Sequence, residues 1–281
     1  MELSNSNIVV TGAGSGIGAA LCKRFAEEGP RAIALVDMDA VALDQSLQEL
    51  AQVFPHVKVS SHQVDVSKES EVIALIHQVT ETSGTIDLFC GNAGIGTALG
   101  LDAPNQVWQS TLDVNLMAHV YAARALMPAW LDQGRGYYLL TASAAGLLTN
   151  LGDAPYSVSK HGAVALAEWM SITYGDRGIV VSCLCPQGVR TPLLFPEMKA
   201  SVAPDSDSAS APEDAVALAV VRAQRILEPS EVAESVVAAL ATEQFLILPH
   251  EEVAAYEQAR ASNRERWLSA MRRLQAQISG G

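Results

Sequence analysis

The sequence predicts an α/β fold built on a doubly wound, seven-stranded parallel sheet. Three observations predict it. Seven short apolar runs, Ile8–Thr11, Ala32–Asp37, Val57–Val64, Leu88–Asn92, Tyr137–Ala142, Ile179–Leu184 and Phe245–Leu248, have strand length. Most are apolar throughout rather than alternating, the pattern of strands covered on both faces. Longer stretches with helical periodicity separate them, and repeated strand–helix alternation favours a doubly wound sheet.

The predicted helices are Gly16–Glu28, Val41–Val53, Glu69–Thr82, Val107–Leu131, Pro155–Arg177 and Glu231–Leu240. Ser67 and Ser230 stand where N-caps belong, each followed by Glu within two residues. From Pro192 to Pro212 four prolines and a small, polar stretch break the rhythm. The chain beyond this stretch supplies one helix and one strand before its tail, too little core for a second domain, so a lid is expected rather than a linker. In the tail, a single helix over Val253–Ile278 places Trp267, Met271, Leu274 and Ile278 at helical spacing. The expectation is therefore one domain over 1–281, with a substrate lid at about 192–228 and a helical tail at about 250–281.

Composition narrows the function classes. The chain has 281 residues, 49% hydrophobic and 17% charged, which excludes a disordered chain. Its net charge of −13 repels phosphate backbones, so no nucleic-acid partner is expected. No stretch approaches the ~20 apolar residues of a membrane helix, and Ile8–Val10 is too short for a signal peptide. Cys22, Cys90, Cys183 and Cys185 lack metal-type spacing and read as buried free thiols. No metal site, no membrane partner and a cytoplasmic location are the corresponding expectations.

Two constellations carry chemistry. Thr11-Gly12-Ala13-Gly14-Ser15-Gly16-Ile17-Gly18 follows a predicted strand and opens a predicted helix, the context of a dinucleotide-binding turn of the Rossmann type. Glycine lets the backbone approach a pyrophosphate, and the helix N-terminus offers free N–H groups to it. This makes Gly12, Ser15, Gly16, Ile17 and Gly18 candidate cofactor contacts. Asp37 ends the next strand, where a carboxylate can accept both ribose hydroxyls. It would repel a 2′-phosphate, and neither Ser15 nor Met38 supplies a rescuing cation. NAD(H) is expected over NADP(H).

The second constellation is Tyr156-Ser157-Val158-Ser159-Lys160, just after Pro155. Positions i and i+4 share a helix face, which sets phenol and ammonium side by side. The ammonium, with the positive charge of an oxidised nicotinamide, is expected to pull the phenol down from its usual value of about 10. Ser143 follows a predicted strand at the end of the sheet where such folds hold ligands, and can hydrogen-bond a substrate oxygen. Asn115 interrupts an apolar helical run, Val114-Asn115-Leu116-Met117, and so needs a buried polar role.

Together these pieces resemble the short-chain dehydrogenase/reductase family of the single-domain kind. The resemblance runs from about Asn7 to Thr191 by motif: Thr11–Gly18, Asp65-Val66, Asn92-Ala93-Gly94, Asn115, Ser143, Tyr156 with Lys160, and Pro186 through Thr191. It implies Tyr156 as general acid/base and as a cofactor contact, Ser143 orienting the substrate oxygen, Lys160 holding the nicotinamide ribose, and Asn115 anchoring a relay water. It further implies Asp65 and Val66 at the adenine, Asn92 near the ribose, and Val189 and Thr191 at the carboxamide. A homotetramer or homodimer is implied as well. Two positions depart from the family pattern: Gly91 stands where an Asn is usual, and Gln187 where a Gly is usual. The apolar residues of Ile95–Leu99, Ala144–Leu151 and Leu193–Met198 suggest a hydrophobic secondary alcohol or ketone. Epimerisation or dehydration on the same scaffold, or a non-catalytic NAD-binding sensor, are the alternative readings.

Overall fold

Seven all-parallel strands form one sheet in the order β3-β2-β1-β4-β5-β6-β7: β1 (Asn7–Thr11), β2 (Ala32–Asp37), β3 (Lys58–Gln63), β4 (Leu88–Gly91), β5 (Gly136–Thr141), β6 (Ile179–Leu184) and β7 (Leu246–Ile247). The structure is a computed structural model and describes residues 1–198 and 225–279. Most of the expected lid, 199–224, lies outside the described residues.

Alternate residues along each central strand feed two cores. Val9, Val36, Tyr138 and Leu140 face one side, where α3 (Glu69–Ser83), α5 (Ala118–Gln133), the short α6 (Ala145–Leu148) and α7 (Ala154–Tyr174) pack. Ile8, Val10, Leu35 and Leu139 face the other, under α1 (Gly16–Glu27), α2 (Ala40–Val53) and α8 (Pro229–Thr242). Both faces are thus covered, which is why β1, β2 and β5 carry apolar runs. The edge strand β3 is only half-buried and reads KVSSHQ. The chain passes from β1 outward to β3, then returns to place β4 on the other flank of β1. That reversal opens a crevice at the carboxyl ends of β1 and β4, where this topology holds ligands.

Several local expectations are corrected. The stretch Val107–Leu131 is not one regular helix: α4 (Asn105–Leu112) runs into a π-helical turn, Asp113–Met117, before α5. The tail is two helices, α9 (Glu252–Ser262) and α10 (Arg264–Ser279), because Asn263 is extended and its side chain accepts from Arg266 N at 2.9 Å. Neither expected serine cap is used. Ser67 turns back to donate to Asp65 and leaves Lys68 at the cap of α3. Pro229 starts α8, so Glu228 becomes its cap, and Glu231 accepts from Glu228 N at 2.8 Å. All four cysteines are buried and free. Among the described residues no helix is long and apolar enough to cross a membrane, and no His/Cys/Asp/Glu group could hold a metal ion.

Candidate active site

A cavity of about 760 Å³ occupies the crevice. Nearly all the residues singled out from the sequence line it: Gly12, Ser15, Gly16, Ile17, Asp37, Asp65, Val66, Asn92, Ser143, Tyr156, Lys160, Val189 and Thr191. Gly18 and Asn115 lie behind this lining and shape it.

The glycine turn is built for close approach. Gly12 (φ +67°) and Gly16 (φ +54°) occupy the left-handed region that a side chain disfavours. A Cβ on Gly18 would overlap the Gly12 carbonyl, so this position holds the turn against the first turn of α1. Thr11 Oγ1 accepts from Asn92 N (2.8 Å) and Ala93 N (3.1 Å), and Asn92 Nδ2 donates to Thr11 O at 3.1 Å. These bonds pin the ends of β1 and β4 together. Opposite Gly16, the Thr191 methyl stands 2.9 Å from where a Cβ would be. The turn and the Val189–Thr191 segment therefore form the two sides of one narrow cradle, which fits a dinucleotide laid across the switch point.

Asp37 sits at the far end of this cradle. Its carboxylate accepts from Gly14 N (2.9 Å) and Asp39 N (3.0 Å), which fixes its orientation. Asp65 is held similarly, accepting from Ser67 and pairing with Lys68 at 3.4 Å. The Ser67 hydrogen bond, helped by Lys68, holds its carboxyl below the usual range.

On the other side, α7 begins at its cap Asp153, with Pro155 in the first turn. Tyr156, Lys160 and Ser143 converge here. Lys160 is buried, donates to Thr141 O at 2.9 Å, and lies 5.7 Å from the Tyr156 ring centre. Burial lowers its ammonium to about 8. Burial raises the Tyr156 phenol to about 12, a hydrogen bond with Ser143 opposing the rise and the charge of Asp153 adding to it. The lowering of Tyr156 expected from the i, i+4 spacing is not the state of the chain by itself. Desolvation outweighs the Ser143 hydrogen bond, and the ammonium of Lys160 is itself disfavoured by burial.

Asn115 is fully buried in the π-helical turn. Its side chain accepts from Ile95 N and donates to Ile95 O, both at 2.9 Å, and donates to Ser159 Oγ at 3.0 Å. It clamps the segment after β4; a π-turn in a helix commonly marks such functional positions.

Three residues went unrecognised in the sequence. His119 fills the space left by Gly91, where a Cβ would stand 2.5 Å from His119 Nδ1. Burial, reinforced by the Lys160 charge, lowers this imidazole to about 3. The Gly91 departure is therefore a compensated exchange of bulk between β4 and α5. His250, buried after β7, accepts at Nδ1 from Gln187 N (3.2 Å) and so carries its proton on Nε2, which meets Arg225 O at 3.0 Å. That pairing secures the backbone at Gln187, whose side chain lines the cavity with its Oε1 buried and without a hydrogen-bond partner among the described residues. The third is Asp153, whose oxygens reach across the cavity wall. Asp-Ala-Pro ahead of a helix is an N-cap signature, and only that half of its role was open to sequence reasoning.

Residues 6–200 match the model of the short chain dehydrogenase family. The chain belongs to the short-chain dehydrogenase/reductase family. It is 35% identical over 198 residues to the 1-deoxy-11-beta-hydroxypentalenate dehydrogenase of Streptomyces exfoliatus, covering 69% of this chain and 71% of that one. It is 32% identical over 192 residues to 3beta-hydroxysteroid dehydrogenase 2 of Eggerthella lenta, covering 67% and 73%. Among solved structures, a short-chain dehydrogenase/reductase from Burkholderia phymatum in complex with NAD superposes with a TM-score of 0.80 at 28% identity, covering 94% of this chain and 96% of that one. Other solved relatives of the same fold hold NADPH. A short-chain dehydrogenase/reductase with a nicotinamide dinucleotide cradle is an oxidoreductase scaffold for a small molecule, and the described geometry agrees with that class.

Proposed function

We propose that the chain interconverts a hydrophobic secondary alcohol and its ketone, using NAD(H), with Tyr156 as general acid/base. The observation that carries this reading is the convergence of Ser143, Tyr156 and Lys160 in one cavity with the glycine cradle. A nicotinamide held there supplies the acceptor or donor of the hydride at the carbinol carbon. In oxidation Tyr156 takes the hydroxyl proton, and in reduction it returns it to the carbonyl oxygen. Ser143 donates to that oxygen as charge develops. With its phenol raised to about 12, Tyr156 is protonated at neutral pH and set up as the acid of ketone reduction. Oxidation calls on the positive charges of Lys160 and of the oxidised ring to favour the phenolate.

Asp37 supports NAD(H) over NADP(H). Its carboxylate is locked in place at the ribose end of the cradle and would accept hydroxyls while repelling a phosphate. Asp65 and Val66 would contact the adenine and Asn92 the ribose, and Val189 and Thr191 the carboxamide; that all five line the cavity supports these roles. The apolar wall of Ile95, Ala145, Leu148, Leu193 and Leu194 supports an apolar substrate. So does the similarity to a dehydrogenase named for a hydroxysteroid. Val158, Trp169 and Ile172 expose apolar surface along α7, which supports burial against a second copy in a homodimer or homotetramer. A cytoplasmic location and a single oxidoreductase domain complete the reading.

The test is absorbance at 340 nm with NAD and a panel of cyclic and long-chain secondary alcohols. Net NADH formation is expected, with turnover reduced at least a thousandfold in Tyr156→Phe. Turnover that survives this substitution would overturn the mechanism, and polyols outperforming apolar alcohols would overturn the substrate class. An epimerase or a sensor would form no net NADH.

A further inference from the structure

The wall Gly96–Leu99 is tied to the helix that bears Tyr156 through one buried carboxylate. Asp153 Oδ2 accepts from two successive backbone amides, Thr97 N and Ala98 N, each at 2.8 Å. Its Oδ1 accepts from Thr97 Oγ1 at 2.7 Å and from Tyr156 N at 3.0 Å. One residue on, Ala154 N donates to Leu99 O at 2.9 Å. Ala98 adopts φ +52°, in the left-handed region. Successive N–H groups converging through such a residue make a concave anion nest, and here the anion is the protein's own. Asp153 is only 5% exposed. Only the bond from Tyr156 N is that of an N-cap; the other three reach a loop more than fifty residues earlier in the chain, at Thr97 and Ala98.

We propose that Asp153 is a positioning residue for the reaction, which holds the substrate wall and the first turn of α7 as one unit and acts on Tyr156 through its charge as well as its hydrogen bonds. This rests on the proposed alcohol/ketone interconversion. A substrate lying against Gly96–Leu99 is thereby set at a fixed offset from the phenol, because both hang from the same carboxylate. Among the described residues, four groups face Tyr156: Ser143 from the turn after β5, Lys160 from its own helix, Cys185 just after β6, and Asp153 at the cap. Of these, Asp153 is the carboxylate, and its charge disfavours the phenolate.

The experiment compares Asp153→Asn with Thr97→Val in the full-length protein, using the alcohol identified in the panel. Asn keeps one acceptor but turns an NH2 group toward donors, so the substrate KM rises about tenfold as a charged hydrogen bond is lost. Removal of the negative charge also moves the acid limb of the oxidation profile to lower pH by about one unit. Thr97→Val keeps the charge and loses the two hydrogen bonds of Oγ1, to Asp153 and from Leu99 N, so KM rises with no displacement of the profile. NADH affinity, read by fluorescence, stays within twofold in both, since Asp153 meets the proposed cofactor contacts only at the backbone N–H of Tyr156. Unchanged KM and pH profile in Asp153→Asn would overturn the proposal, as would an equal pH displacement in both variants. Should Asp153→Asn not fold, an unchanged KM in Thr97→Val overturns it alone. Wild-type protein that transfers no hydride refutes the proposed function instead, so the two failures are distinguishable.

Discussion

Replacing Lys160 by Met is expected to make the cofactor-free protein more stable while abolishing its turnover. Lys160 is buried and its ammonium is lowered from 10.5 to about 8. The fold therefore holds a charge that the unfolded chain carries freely in water. Each unit of such a shift is worth 1.36 kcal/mol, so the fold forfeits about 3 kcal/mol at pH 7, below both values. Met has a similar linear reach without the charge, and it removes this cost. Against that, Thr141 O loses its bond from Lys160 Nζ, which costs about 1 kcal/mol. The net gain is about 2 kcal/mol, which for a chain of 281 residues raises Tm by roughly 3–4 °C. Above 10.5 the lysine is neutral in both states and the cost vanishes; below about 8 it is fully present. The advantage of Lys160→Met is thus greatest at pH 7 and narrows as pH rises from about 8 to 10.5. Urea denaturation of both proteins across that range measures the difference, in which all other titrating groups cancel. A variant no more stable than wild type at pH 7, or an advantage independent of pH, would refute the claim that Lys160 is kept at the expense of the fold.

The same geometry fixes two further outcomes. Gly91→Asn restores the residue usual in the family, but its Cβ falls 2.5 Å from His119 Nδ1, so it destabilises by about 1–3 kcal/mol through overpacking. Combined with His119→Ala it recovers most of that loss, and a double-mutant cycle by urea denaturation giving additive effects would refute the exchange of bulk. Asp37→Ser removes the carboxylate held by Gly14 N and Asp39 N. The ratio of kcat/KM for NAD over that for NADP then falls about 10- to 100-fold, the scale of a charged hydrogen bond; an unchanged ratio places cofactor choice elsewhere.

The pattern of what could be read from the sequence has a physical cause. Strands β1, β2, β5 and β6 were legible because a sheet covered on both faces demands unbroken apolar runs, and the glycine turn was legible because it is local, with strand, glycines and helix contiguous. Tyr156, Lys160, Ser143 and Asn115 were recognisable as a set. What burial does to the members of the set was not, and in the chain by itself burial raises the Tyr156 phenol. The break at Asn263 carried a local cap signal, Asn followed three residues on by the amide of Arg266, which the continuing apolar period of Trp267, Met271 and Leu274 masked. Apolar periodicity hid the π-turn at Asp113–Met117 in the same way.

The residues missed altogether share one property: their partners are remote in sequence. His119 was an ordinary helix residue until β4 placed Gly91 beneath it, so the apparent loss of a family asparagine was half of a compensated pair. Asp153 was a helix cap until the fold brought Thr97 and Ala98 to its other oxygen. In both cases a local rule explains the residue type adequately and thereby conceals a second, tertiary use. A cap needs a small acceptor and nothing more; that this one is a buried carboxylate gripping a left-handed alanine on the substrate wall is the observation that local propensity does not explain. The demand for a charge at that position comes from the four donors that converge on it, three of them from the loop of Thr97 and Ala98.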